Sequence, residues 1–83
     1  MKTPCLKWEV MHGYEDENGN PTQWVAEISH PRYGKYCWIF KAGKYYSVEV
    51  YRGGFIDLVK CRSLVGAKLW AFLLLVRREY TNA

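Results

Sequence analysis

Eighty-three residues with a formal net charge of +4 have room for one domain, residues 1–83, and one hydrophobic core. Hydrophobic residues make up 49% of the chain and aromatic residues 17%, with four Trp, seven Tyr and three Phe. This excludes intrinsic disorder, because disordered chains lack the apolar surface that offsets the entropy of ordering.

Leu6, Trp8 and Val10 alternate with Lys7, Glu9 and Met11, the period of a half-buried strand. The strand fades near Tyr14 into Glu15-Asp16-Glu17-Asn18-Gly19-Asn20-Pro21, an acidic loop rich in turn formers. Residues 23–29 predict a second strand, with Trp24, Ala26 and Ile28 on one face and Val25, Glu27 and Ser29 on the other. Pro31 stops it, since proline cannot donate to a ladder, and Gly34 completes the turn. A third, aromatic strand covers 36–41. Ala42-Gly43 connects it to a fourth over 44–51, where Tyr46, Val48 and Val50 oppose Tyr45, Ser47, Glu49 and Tyr51. Adjacent glycines accept the positive φ of a tight hairpin, so Arg52-Gly53-Gly54 predicts a turn and 55–60 a fifth strand. The period then changes. Ser63 is a good N-cap, and residues 64 to about 78 avoid proline and are rich in Leu, Ala, Lys and Arg. Arg77 and Arg78 suit the last turn of this helix, where cations complement the carbonyl end. The expected class is α+β: an antiparallel meander of four or five strands packed against one C-terminal helix, with sequential neighbours paired.

That helix carries more apolar surface than one sheet can use. Ala67, Trp70, Ala71 and Leu74 form one stripe, and the two alanines let the helix axis approach the sheet closely. Leu64, Phe72 and Leu75 fall on a second stripe beside Lys68 and Glu79. The second stripe is either covered by the N-terminal segment or the acidic loop, or it is an interface with another protein or a second copy. Leu64, Lys68, Phe72 and Leu75 are thus the expected partner-binding face, and a weak homodimer through it is expected, with Lys68 and Glu79 at the rim.

Charge is unevenly spread. Residues 32–78 hold ten Lys and Arg against Glu49 and Asp57, while residues 1–31 carry more acids than bases. Arg32, Lys35, Tyr36, Lys41, Lys44, Tyr45 and Arg52 mix cations with aromatic rings and are candidate nucleic-acid contacts. Glu15, Asp16 and Glu17 are a candidate acidic contact loop that could imitate phosphates.

No pattern names a reaction. His12, His30, Cys5, Cys37 and Cys61 lack the paired spacing of structural metal sites, so no metal or other cofactor is expected. His30, before Pro31, reads as a turn residue, and the glycines fit turns rather than a phosphate-cradling loop. A catalytic role is not expected. Three widely spaced cysteines make a poor disulfide framework, the first residues hold no apolar signal core, and the stretch 64–76 is too short and interrupted to span a membrane. A cytoplasmic protein with reduced thiols and no membrane partner is expected.

Two resemblances add to this. Gln23-Trp24-Val25-Ala26-Glu27-Ile28, residues 36–40 and Ser63-Leu64-Val65-Gly66-Ala67-Lys68-Leu69-Trp70-Ala71 resemble the sheet-plus-helix DNA readers, namely the plant ethylene-response-type domains and the arm-binding domains of tyrosine recombinases. That resemblance implies DNA reading by a sheet, although the chain inserts a hairpin over 44–59 and lacks the arginine run of the first strands. In size and character the whole chain is similar to small phage-encoded anti-defence proteins of the anti-CRISPR kind. This implies a stoichiometric inhibitor that docks on a nucleic-acid-handling host complex. The leading expectation is such a non-catalytic binding protein, and the alternative is direct DNA or RNA binding.

Overall fold

The computed structural model describes residues 6–77. Five strands, β1 (Glu9–Val10), β2 (Gln23–His30), β3 (Gly34–Ala42), β4 (Tyr45–Tyr51) and β5 (Phe55–Cys61), form one antiparallel sheet in the order β1-β2-β3-β4-β5. An α-helix, α1 (Leu64–Phe72), and a π-type turn, Leu73–Arg77, follow. The class expected from the sequence is the one observed.

Strand alternation builds the core. Trp24↔Ile39, Ala26↔Cys37, Cys37↔Val50 and Ile39↔Val48 are cross-strand partners on the face toward the helix. Cys37, Ile39, Val48 and Val50 are completely buried there, together with Ala67, Ala71 and Leu75 from the helical segment. With only a methyl group on each of Ala67 and Ala71, the helix axis lies close to the sheet. The short side chains leave the large aliphatics of β3 and β4 to fill the interface. Ser63 caps α1 in extended geometry, its hydroxyl accepting from the Gly66 N–H at 3.0 Å. Gly43 turns the β3–β4 hairpin at φ +62°, a left-handed value that L side chains rarely adopt.

Three details depart from the alternation rules. The predicted first strand contracts to two residues, because Leu6 and Trp8 leave the ladder and pack, half-buried, against the core. The β1–β2 connection instead continues as turn-like bonds, Met11 N–H to the Gln23 carbonyl at 3.0 Å and Thr22 N–H to the Tyr14 carbonyl at 2.9 Å. Registers then slip in two places. Between Glu27 and His30 the chain bends, with Ser29 at φ +51°. In β5, Val59 faces Val48 whereas Asp57 faces Glu49, so Leu58 is the extra residue of a bulge. The bulge lets Leu58 and Val59 both pack on the core while Asp57 keeps to the opposite face.

Candidate functional site

The helix turns different faces to the sheet and to solvent than its spacing implies. Leu75, expected on the partner face, is fully buried in the core, and Leu64 packs half-buried against it. Trp70, expected against the sheet, is 47% exposed. The reason is where the core is centred. At about 100° per residue, Leu64 and Leu75 lie within about 40° of Ala71, whereas Trp70 lies about 100° away. The π turn advances less per residue and brings Leu75 further under Ala71. The outward stripe is instead Val65 (77% exposed), Leu69 (57%) and the flanking Trp70, with Lys68 and Phe72 half-buried at its sides. Glu79, expected at the rim, lies outside the described residues.

The sheet face away from α1 is a second surface, and it has a different chemistry. One cross-strand row runs Glu9, Val25, Trp38, Glu49, Asp57. On one side of this row Glu27 faces Tyr36 and Tyr51 faces Phe55, and on the other Gln23, Phe40, Ser47 and Lys60 follow one another across the strands. Phe55 is the hub of the aromatic rings, meeting Trp38 at 5.3 Å, Phe40 at 5.2 Å and Tyr51 at 5.1 Å, each edge-on. Tyr36 tilts against Trp38 at 6.2 Å. On the same face the buried Ser47 hydroxyl donates to Asp57 Oδ1 at 3.0 Å. Glu49, directly opposite Asp57, has its carboxyl held above the ordinary range, first by desolvation and then by its acidic neighbour, with Ser47 and Lys60 opposing.

The acidic loop is partly occupied by its own turn. Asp16 accepts the N–H groups of Asn18 and Asn20, both at 2.9 Å, and the Asn20 bond is the main cause that lowers its pKa. Glu15 accepts from the Gly13 N–H at 3.3 Å, and Glu17 is exposed.

The candidate nucleic-acid contacts do not gather in one place. Arg32, Lys35, Tyr36 and Arg52 lie at one end of the sheet, where the Arg52 guanidinium donates to the Arg32 carbonyl. Lys41, Lys44 and Tyr45 lie at the other end, where Lys44 and Tyr45 border a shallow depression with Arg62, a residue the sequence reading passed over. The Lys41 ammonium sits 6.0 Å from the centre of the Tyr46 ring.

His30 is a turn residue as its sequence context implied, its Nδ1 accepting from the Arg32 and Tyr33 N–H groups at 3.0 and 3.2 Å. Burial pushes the Cys37 thiol up to about 12 and raises that of Cys61. Cys5 lies outside the described residues. Among the described residues there is no group of three or more His, Cys, Asp and Glu placed to hold a metal ion, and no helix long and apolar enough to cross a membrane. No protein-family model, curated protein or solved structure matches the chain.

The open-face cluster was only half legible beforehand. Alternation places Tyr45, Ser47, Glu49 and Tyr51 on one face, but the β5 bulge decides that Asp57 joins them. No simple sequence signal marks a bulge at Leu58.

Proposed function

We propose that the chain is a non-catalytic binding protein that docks stoichiometrically on a protein partner through the outward face of α1. The observation that carries this is the exposure of Val65, Leu69 and Trp70 on a helix whose opposite side already fills the core. Apolar surface left wet on successive turns is where a partner gains most from excluding water. In its most concrete form the partner is a nucleic-acid-handling host complex in the host cytoplasm, the class implied by the resemblance to small phage-encoded anti-defence proteins.

The test is comparative capture from a candidate host lysate by wild type and by Leu69→Glu. A component of a nucleic-acid-handling complex retained in stoichiometric amount by wild type and lost with the variant supports the proposal. Identical captured proteins with both refute it.

The second reading, direct nucleic-acid binding, is favoured by the convergence of Lys44, Tyr45 and Arg62 at one end of the sheet. Phosphate contacts release counterions, so oligonucleotide affinity would fall steeply with salt. Absence of anisotropy change with single- and double-stranded oligonucleotides at low salt ends this reading.

A further inference from the structure

The chain is basic overall, yet the face of the sheet turned away from α1 is not. Four of the chain's eight acidic residues, Glu9, Glu27, Glu49 and Asp57, stand on strand positions of that face. Against them stand Lys60 at one edge, and Lys7 beside Glu9 and Glu27 at the other. The other described cations lie at turns, on the helix side or on the helix. The face is therefore complementary in charge to a cationic partner and opposed to a phosphate backbone.

The rings supply the second half of the complementarity. Trp38 lies between Val25 and Glu49 in the central row, and Tyr36, Tyr51 and Phe55 are each about half exposed around it. Aromatic faces attract cations through the ring quadrupole, and Trp does so best. A guanidinium suits this combination better than an ammonium. It is planar, weakly hydrated, stacks on rings and offers a fork of donors that a carboxylate accepts in pairs.

We propose that this open sheet face binds an arginine-bearing segment of a protein partner, with guanidinium groups stacked on the rings and paired with Glu49 and Asp57. Ser47 orients the Asp57 carboxylate for that pairing by donating to Oδ1. Directly opposed like charges on a sheet are unfavourable, and a guanidinium seated between Glu49 and Asp57 relieves that repulsion. The burial that raises the Glu49 pKa would then be offset by a bound cation, which favours the ionised form. This site is on the opposite layer from Val65 and Leu69 and does not depend on docking by the helix.

The experiment uses the full chain and fluorescent peptides of equal length that alternate serine with arginine, lysine or glutamate, read by anisotropy. The arginine peptide is expected to bind more tightly than the lysine peptide, the glutamate peptide not to bind, and affinity to weaken with salt. The double variant Glu49→Gln/Asp57→Asn removes both charges at constant shape, and its affinity for the arginine peptide should fall by about tenfold or more, the loss of one charge-assisted bond. Lys60→Glu, at an exposed position, should tighten binding, which keeps the test informative if the double variant is poorly folded. Leu69→Glu, on the helix, should leave peptide affinity unchanged, which separates this site from the helix proposal. Equal binding of the glutamate peptide, an unchanged affinity in the double variant, no tightening by Lys60→Glu, or displacement of the arginine peptide by an oligonucleotide that itself binds at this face would each overturn it.

Discussion

Replacing Glu49 by Gln should stabilise the protein at neutral pH. The Glu49 carboxyl is held above its ordinary value of 4.5, first by desolvation and then by Asp57, its direct cross-strand partner between β4 and β5. A raised carboxyl binds its proton more tightly in the folded than in the unfolded chain. Stability then falls as pH rises through the window from 4.5 to the higher folded value, and the cost is fully present above that window. Opposed like charges on a sheet cost about 0.2–1 kcal/mol, and solvent screening at this half-open face places Glu49 toward the lower half of that range. A gain of about 0.5 kcal/mol raises the melting temperature of a domain this size by about 2–4 °C. Calorimetry at neutral pH should show that rise for Glu49→Gln, and the gap should close below the ordinary carboxylate value, where wild-type Glu49 is protonated as well. Added salt should shrink the gap at neutral pH. A variant that melts lower than wild type at neutral pH, or a gap that persists undiminished in acid, refutes the reasoning. The same substitution is expected to weaken the arginine peptide, so stability and binding should move in opposite directions.

Four further outcomes are expected. Ser63→Ala removes the hydroxyl that accepts the Gly66 N–H and should cost about 1 kcal/mol in urea denaturation with no change in slope. Ala71→Leu forces a larger side chain into a fully buried position between helix and sheet and should cost about 1–3 kcal/mol, whereas Leu69→Glu, outward and 57% exposed, should change stability by no more than about 0.5 kcal/mol. With Cys5 replaced by serine, thiol labelling at about pH 8 should mark Cys61 before Cys37, since a thiol pushed up to about 12 is thiolate in only about one molecule in ten thousand; equal rates would contradict the burial of Cys37. Self-association through α1 should be weak, because burying Val65 and Leu69 on each copy, at about 1.5–3 kcal/mol per side chain, only modestly outweighs an association cost of roughly 4–15 kcal/mol taken toward its lower end. Light scattering at high micromolar concentration should then exceed the mass of one chain, Leu69→Glu should return it to one, and a wild-type monomer there removes the dimer.

Strand order, helix position and helix cap were legible because each rests on a local rule. Period-two alternation over residues 23–29 and 44–51, the glycines of the hairpins and the serine before an apolar run all act within a few residues. The first strand was overread because Leu6 and Trp8 satisfy alternation and still gain more by packing on the core than by lengthening β1. The helix faces were misread for a different reason. Nearly every position of α1 is apolar, so no polar arc marks the outside, and only the sheet decides which stripe is buried. Trp70 falls by spacing in one stripe with Ala67, Ala71 and Leu74, which suggests a core position. The sheet takes Ala67 and Ala71, as expected, but not Trp70, because small residues let the helix axis come close enough for Ile39 and Val48 to fill the space between.

This close approach also explains why the molecule has two outward surfaces of opposite character. Two alanines at the centre of the helix interface spend little apolar area there, and Val65, Leu69 and Trp70 are left outside. On the sheet the same alternation that sends Cys37, Ile39, Val48 and Val50 inward obliges Trp38, Phe40, Glu49 and Tyr51 to face away. Among the described residues no second helix covers that side. The rings there shield one another edge-on through Phe55, which limits the wet apolar area without closing the face. Carboxylates set among them keep that face soluble and give it a charge opposite to that of the chain as a whole. An apolar helix stripe selects for shape and dryness, and an acidic aromatic sheet selects for positive charge. A partner that presents an apolar groove and, elsewhere, an arginine-rich segment of the kind common in proteins that handle nucleic acids could engage both layers at once. Combining Leu69→Glu with Glu49→Gln/Asp57→Asn should then weaken binding by far more than either change alone.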